Sequence, residues 1–79
     1  MMNDEQIRNF KWIGANYEEL TKKFNNKWVA VLGEKVIESD GSATTLKMKV
    51  DKRYREDKDR LKGVVFEFVT DKKFPEVDV

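Results

Sequence analysis

The sequence predicts a small α+β domain of order α(α)ββαβ, and three observations carry that prediction. Capped stretches with apolar residues one turn apart alternate with short runs of β-branched and aromatic residues, and a glycine-led turn joins two of those runs. The chain is 79 residues long, enough for a single core near the size where burial only just offsets conformational entropy, so it is one domain.

Asn3 stands three positions before Gln6, the spacing at which an N-cap and the third helical residue satisfy each other's backbone donors, and Ile7, Phe10 and Ile13 follow a turn apart. Asn16 and Glu19 repeat the device ahead of Leu20 and Phe24, with Tyr17 between them. Positions 7, 10, 13, 17, 20 and 24 form one stripe, which fits either a single helix over 4–24 or two short ones meeting near Gly14 and Asn16. A glycine and a capping residue two positions apart each weaken a helix interior, which favours the break. Asn25 and Asn26 tolerate left-handed backbone and end the helical pattern, and residues 27–32, KWVAVL, read as the first strand. Gly33 and Glu34 then form a two-residue turn with glycine first, leading into an antiparallel partner over 35–39 in which Val31 faces Val36 and Ala30 faces Ile37.

Asp40 and Gly41 break that strand, Ser42 caps a third helix, and Ala43, Leu46, Val50 and Tyr54 recur at helical spacing over 43–55. Residues 56–63 have only Leu61 as an apolar side chain and read as a solvated helix end plus loop. Residues 64–70 alternate, Val64, Phe66 and Phe68 on one face and Val65, Glu67 and Val69 on the other, which makes the third strand. From Asp71 the pattern is lost, Pro75 opposes continuation, and the tail to Val79 reads as frayed. The first strand is the most apolar and is expected at the centre of a mainly antiparallel sheet in the order 2-1-3, with the helices on one face. The expected core is Phe10, Ile13, Tyr17, Leu20, Phe24, Val29, Val31, Val36, Leu46, Val50, Phe66 and Phe68.

Composition narrows the function classes. Without cysteine there is no disulfide framework and no thiolate metal site, and without histidine the usual neutral-pH acid/base group is missing, which counts against an enzyme and against a metal or other cofactor. Sixteen basic and 15 acidic residues leave a net charge of +1, so no global field draws the chain to nucleic acid or membrane. No apolar run approaches the roughly 18 residues of a membrane span, and the first residues are polar, so the chain reads as soluble and cytoplasmic.

The wording NYEEL at residues 16–20, a basic-aromatic helix end KKF, then KWVAV, a glycine turn and a Val-Ile strand resembles a family of small archaeal proteins classed as a domain of unknown function. The likeness extends more weakly to VVFEFV and covers about three quarters of the chain. Its matched positions are a cap, core aromatics and a central strand, and it brings no catalytic or binding residue with it.

Two surfaces are candidates for function. If helices cover one sheet face, Trp28, Ala30, Ile37, Val65 and Val69 populate the other, an apolar area that monomers seldom leave open. That favours a non-enzymatic interaction module, a homodimer or a binder of another protein, using Trp12, Trp28, Val65 and Val69; Trp12 lies off the helical stripe, and tryptophan is enriched among binding hot spots. Trp12 as a lid on the core edge and Trp28 as core are the plainer readings. The alternative is nucleic acid at residues 47–62, where eight basic residues meet four acidic ones, with Lys47, Lys52, Arg53 and Arg55 on phosphates and Tyr54 stacking on a base. Its plainer counterpart is a solvated helix face with Asp51 paired to Arg55. Glu56, Asp57 and Asp59 lack the spacing, glycine and closing glutamate of a calcium loop, and Asp40, Gly41 and Ser42 read as a turn and a cap.

Overall fold

The computed structural model describes residues 2–71. The order is α1 (Asp4–Ala15), α2 (Tyr17–Phe24), β1 (Lys27–Val31), β2 (Val36–Asp40), α3 (Ala43–Arg53), a 3-10 helix (Lys58–Gly63) and β3 (Val65–Val69). The strands form one antiparallel sheet, β2-β1-β3, with the most apolar strand central as expected. The expected fraying of the tail falls outside the described residues.

Local chemistry explains where the elements begin and end. The Asn3 side chain accepts the Gln6 N–H at 2.8 Å while the Gln6 side chain accepts the Asn3 N–H at 3.0 Å, closing the predicted capping box. The helical stripe does break, at Asn16, but the second capping box does not form. Instead the Asn16 side-chain amide donates back to the Trp12 carbonyl at 2.9 Å, so this residue finishes α1 rather than starting α2. At the hairpin, Gly33 and Glu34 both take positive φ, 63° and 57°, and the Leu32 N–H reaches the Lys35 carbonyl at 3.0 Å. Two left-handed residues in a row match the right-handed twist of the strands, and a glutamate in that conformation needs outside support.

The expected register holds at Val31 opposite Val36 and fails one step later. Ala30 pairs with Glu38, and Ile37 is the extra residue of a bulge. Val36 thereby packs with the residues under α1 and α2, and Ile37 with those under α3.

The larger correction concerns the sheet faces. Ile13 and Leu20 bury Val29, Val31, Val65 and Val69 on one face, while Leu46 and Val50 of α3 bury Ala30, Leu32, Ile37 and Val64 on the other. Helices therefore cover both faces, and the alternating strands feed two half-cores rather than one core and an open surface. Phe10, expected inside, is 51% exposed because the buried side of α1 runs through Asn9 and Ile13 instead, and Phe68, also expected inside, is 37% exposed on β3.

Side chains from the helices also engage backbone groups along both sheet edges. Beside β3, the Gln6 side chain donates to the Val64 carbonyl at 3.3 Å, and the Tyr17 hydroxyl accepts the Thr70 N–H at 3.1 Å and donates toward the Thr70 carbonyl at 3.3 Å. On β2, Arg53 donates to the Ile37 carbonyl at 2.6 Å and Lys49 to the Ser39 carbonyl at 3.4 Å. Edge groups engaged in this way offer less template for pairing with another chain.

Candidate functional site

Trp12, Leu20, Phe24 and Val36 form the apolar floor of a cleft of about 320 Å³ between the α1–α2 pair and the β1–β2 hairpin. They come from three elements: Trp12 from α1, Leu20 and Phe24 from α2, Val36 from the start of β2. Its rim carries Asn16, Glu19, Lys23 and Lys35. Trp12 is half-buried against the first half-core, so its position off the helical stripe makes it a wall of this cleft.

Asn9 holds the cleft together. It is 1% exposed, its amide donates to the Gly63 carbonyl at 2.7 Å, and its side-chain oxygen accepts the Glu34 N–H at 2.9 Å. One buried side chain thus ties α1 both to the end of the 3-10 helix and to the strained tip of the hairpin. A buried polar group satisfied on both sides fixes geometry because losing either partner strands a group away from water.

The other interface candidates lie elsewhere. Val65 is 8% exposed and Val69 fully buried beneath α1 and α2, so neither belongs to a surface, and the open apolar face expected from the sequence does not exist. Trp28 is half-buried in the second half-core, its ring 5.6 Å from that of Phe68 and tilted by 56°. Trp12 is the member of that set that lines a concavity.

Of the five nucleic-acid candidates, Lys52, Arg53 and Arg55 line one open depression of about 350 Å³ together with Glu56, and the Arg53 guanidinium lies 5.8 Å from the centre of the Tyr54 ring. The Lys47 ammonium lies 5.9 Å from the centre of the Phe66 ring, Arg53 is bound to the Ile37 carbonyl and to Glu38 at 3.4 Å, and Tyr54 is half-buried in the second half-core. Lys52 and Arg55 also line a second open depression of about 440 Å³, joined by Met48, Asp51 and by Lys58, a basic residue of the 47–62 segment not among the five. Among the described residues Asp51 forms no ion pair with Arg55. No three carboxylates among the described residues, Glu56, Asp57 and Asp59 included, come together as a group that could hold a metal ion.

The marked electrostatic perturbation among the described residues is structural. The Asp40 carboxylate lies 2.8 Å from the Lys49 ammonium and also accepts the Ser42 N–H at 2.9 Å, and these bonds, Lys49 first, hold its pKa below the usual carboxylate value. The same bond raises Lys49 above the usual amine value. Together they staple β2 to α3.

Among the described residues no helix is long and apolar enough to cross a membrane. Comparisons with protein-family models, with curated proteins and with solved structures find nothing that matches this chain. Its function is therefore read from its own surface.

Proposed function

We propose that this chain is a cytoplasmic, non-enzymatic interaction module that binds another protein at the Trp12 cleft. The observation that carries this reading is the convergence of Trp12, Leu20, Phe24 and Val36 on a concave, largely apolar surface whose rim is polar. Binding surfaces concentrate their energy where a bulky anchor enters such a pocket and the rim excludes water. A chain without histidine or cysteine offers little to general acid/base or thiol chemistry, which agrees with a binding role. Pairing of two copies through an open sheet face, the expectation from sequence, has lost that face to the helices on both sides of the sheet, and the Trp12 cleft is read as a site for a different protein.

Titration of isotope-labelled protein with isopropanol and with phenol, followed by amide and indole chemical shifts, tests the reading. The shifts should gather at Trp12, Leu20, Phe24 and Val36. Probes that collect instead around Trp28, Phe66 and Phe68 would transfer the role to the α3 side, and the absence of any cluster would end the proposal.

A second reading, binding to nucleic acid, draws support from Lys52, Arg55 and Lys58 around one open depression. Asp51 on the same surface and the net charge of +1 oppose it. Anisotropy titrations with single- and double-stranded oligonucleotides near about 150 mM salt should therefore give weak or undetectable binding. Sub-micromolar binding lost in a Lys52→Glu, Arg55→Glu double variant would promote this reading above the first.

A further inference from the structure

The chemistry of the rim narrows the kind of partner, given that the cleft is a protein-binding site at all. We propose that the Trp12 cleft takes a peptide segment in which one bulky apolar side chain is flanked by carboxylates. Lys23, from the last turn of α2, and Lys35, on the arm leading into β2, both line the cleft from different elements, and Glu19 is the one acidic residue on its lining. None of the three takes part in an ion pair among the described residues, and Asn16 already has its amide bound to the Trp12 carbonyl. A partner carboxylate can meet either ammonium without displacing an internal ion pair, whereas a partner lysine meets two like charges and a single glutamate. Charge of this kind at a rim selects partners and speeds encounter more than it tightens binding.

The floor fixes the rest of the partner's chemistry. A volume of about 320 Å³ is at the small end of ligand sites, enough for one large side chain with part of its backbone. Trp12 and Phe24 offer aromatic surface, Leu20 and Val36 aliphatic surface, which suits leucine, phenylalanine or tryptophan and wastes the cavity on alanine. The walls are set in advance, because Asn9 bridges α1 to the hairpin tip and the Asn16 N–H bonds back to the Trp12 and Ile13 carbonyls at 3.0 and 3.2 Å. A cleft that does not have to form on binding loses less affinity to ordering.

The test uses the full chain, isotope-labelled, and acetylated, amidated hexapeptides of sequence Gly-Asp-Phe-Glu-Gly-Ser, with companions in which Lys replaces both acids or Ala replaces Phe. The readout is the Trp12 indole N–H resonance, assigned by its loss in a Trp12→Phe variant. The acidic Phe peptide should shift it saturably, with affinity at least about tenfold above the Lys companion, a difference of about 1.4 kcal/mol, and the Ala companion should not shift it. A Lys23→Glu, Lys35→Glu double variant, changed only at exposed positions, should reverse the charge preference while leaving the rest of the spectrum in place. Equal binding of the acidic and basic Phe peptides would overturn the charge assignment and leave the interaction reading standing. No shift of Trp12 with any of the peptides at millimolar concentration would overturn both.

Discussion

On the α1–α2 side of the sheet, the fastening is neutral: Asn9 between Gly63 and Glu34, Gln6 on Val64, Tyr17 on Thr70. On the α3 side it is charged: Lys49 on Asp40, Arg53 on Glu38, and both cations on β2 carbonyls. The neutral bonds reach across the chain and include a fully buried member, whereas the ion pairs sit at the solvent-facing rim. Neutral buried bonds keep their strength in salt and fix distances, while exposed pairs are screened and contribute little each. The side with the rigid neutral ties is also the side with the cleft, which is what a preformed binding surface needs.

The largest expected effect tests whether α3 is a true second lid. Leu46 is fully buried at the centre of the α3 half-core, and Leu46→Ala should cost about 3 kcal/mol, a large share of the few kcal/mol a domain of this size has. Met48→Ala on the exposed face of the same helix should change stability by less than about 0.5 kcal/mol. Urea denaturation separates the two. A small loss for Leu46→Ala would mean that the α3 face is open after all and would restore the case for a dimer through it.

Asn9→Ala comes next, at about 2 kcal/mol, because it strands the Gly63 carbonyl and removes the acceptor that supports Glu34 in its left-handed conformation. Hydrogen exchange should show the Glu34 amide losing protection before the amides of β1. If Glu34 kept its protection, Asn9 would not be the tie that sets the width of the cleft.

These two residues also mark how far the sequence could be read. The caps at Asn3 and Ser42, the strand centres, the glycine turn and the order of the sheet were legible, whereas the capping box expected at Asn16 was not realised. Coverage of both sheet faces was not legible, because the stripe Ala43, Leu46, Val50 and Tyr54 says that α3 buries one side without saying against which face. The bulge at Ile37 escaped for a similar reason: strict alternation puts Ala30 opposite Ile37, and only packing against two separate helix layers favours the extra residue. Asn9 is polar and flanked by Arg8 and Phe10, so it reads as surface, and Phe10, at perfect spacing with Ile7 and Ile13, reads as core. Trp12 was legible as an aromatic off the stripe. Its companions Leu20, Phe24 and Val36 were legible only as core, since the cleft they make spans three elements.

A smaller effect distinguishes the two sheet edges. Tyr17→Phe removes the hydroxyl that engages Thr70 and should cost about 1 kcal/mol. That loss should be the same at low salt and in roughly 0.5 M salt, a range over which the Debye length shrinks below the spacing of surface charges. Lys49→Met on the opposite edge should instead matter more at low salt. Identical salt responses in the two variants would erase the contrast between neutral and charged fastening.

The smallest effect lies in the pH dependence of the α3 side. Bonds from Lys49 and then from the Ser42 N–H depress the folded-state pKa of Asp40, so its contribution is fully present above the unfolded carboxylate value of about 3.9 and is lost as pH falls through the folded value. The bond to Asp40 raises Lys49, whose contribution is present below about 10.4 and is lost as pH climbs through the folded value. Between these limits the pair adds no slope. Melting temperatures between about pH 2 and pH 6 should therefore fall more steeply with acid in the parent than in Asp40→Asn, with the two curves drawing together at the acid end, where Asp40 is protonated and resembles the amide. Parallel curves would show that the pair contributes nothing, and the α3 side would then be held by Leu46, Val50 and their apolar neighbours alone.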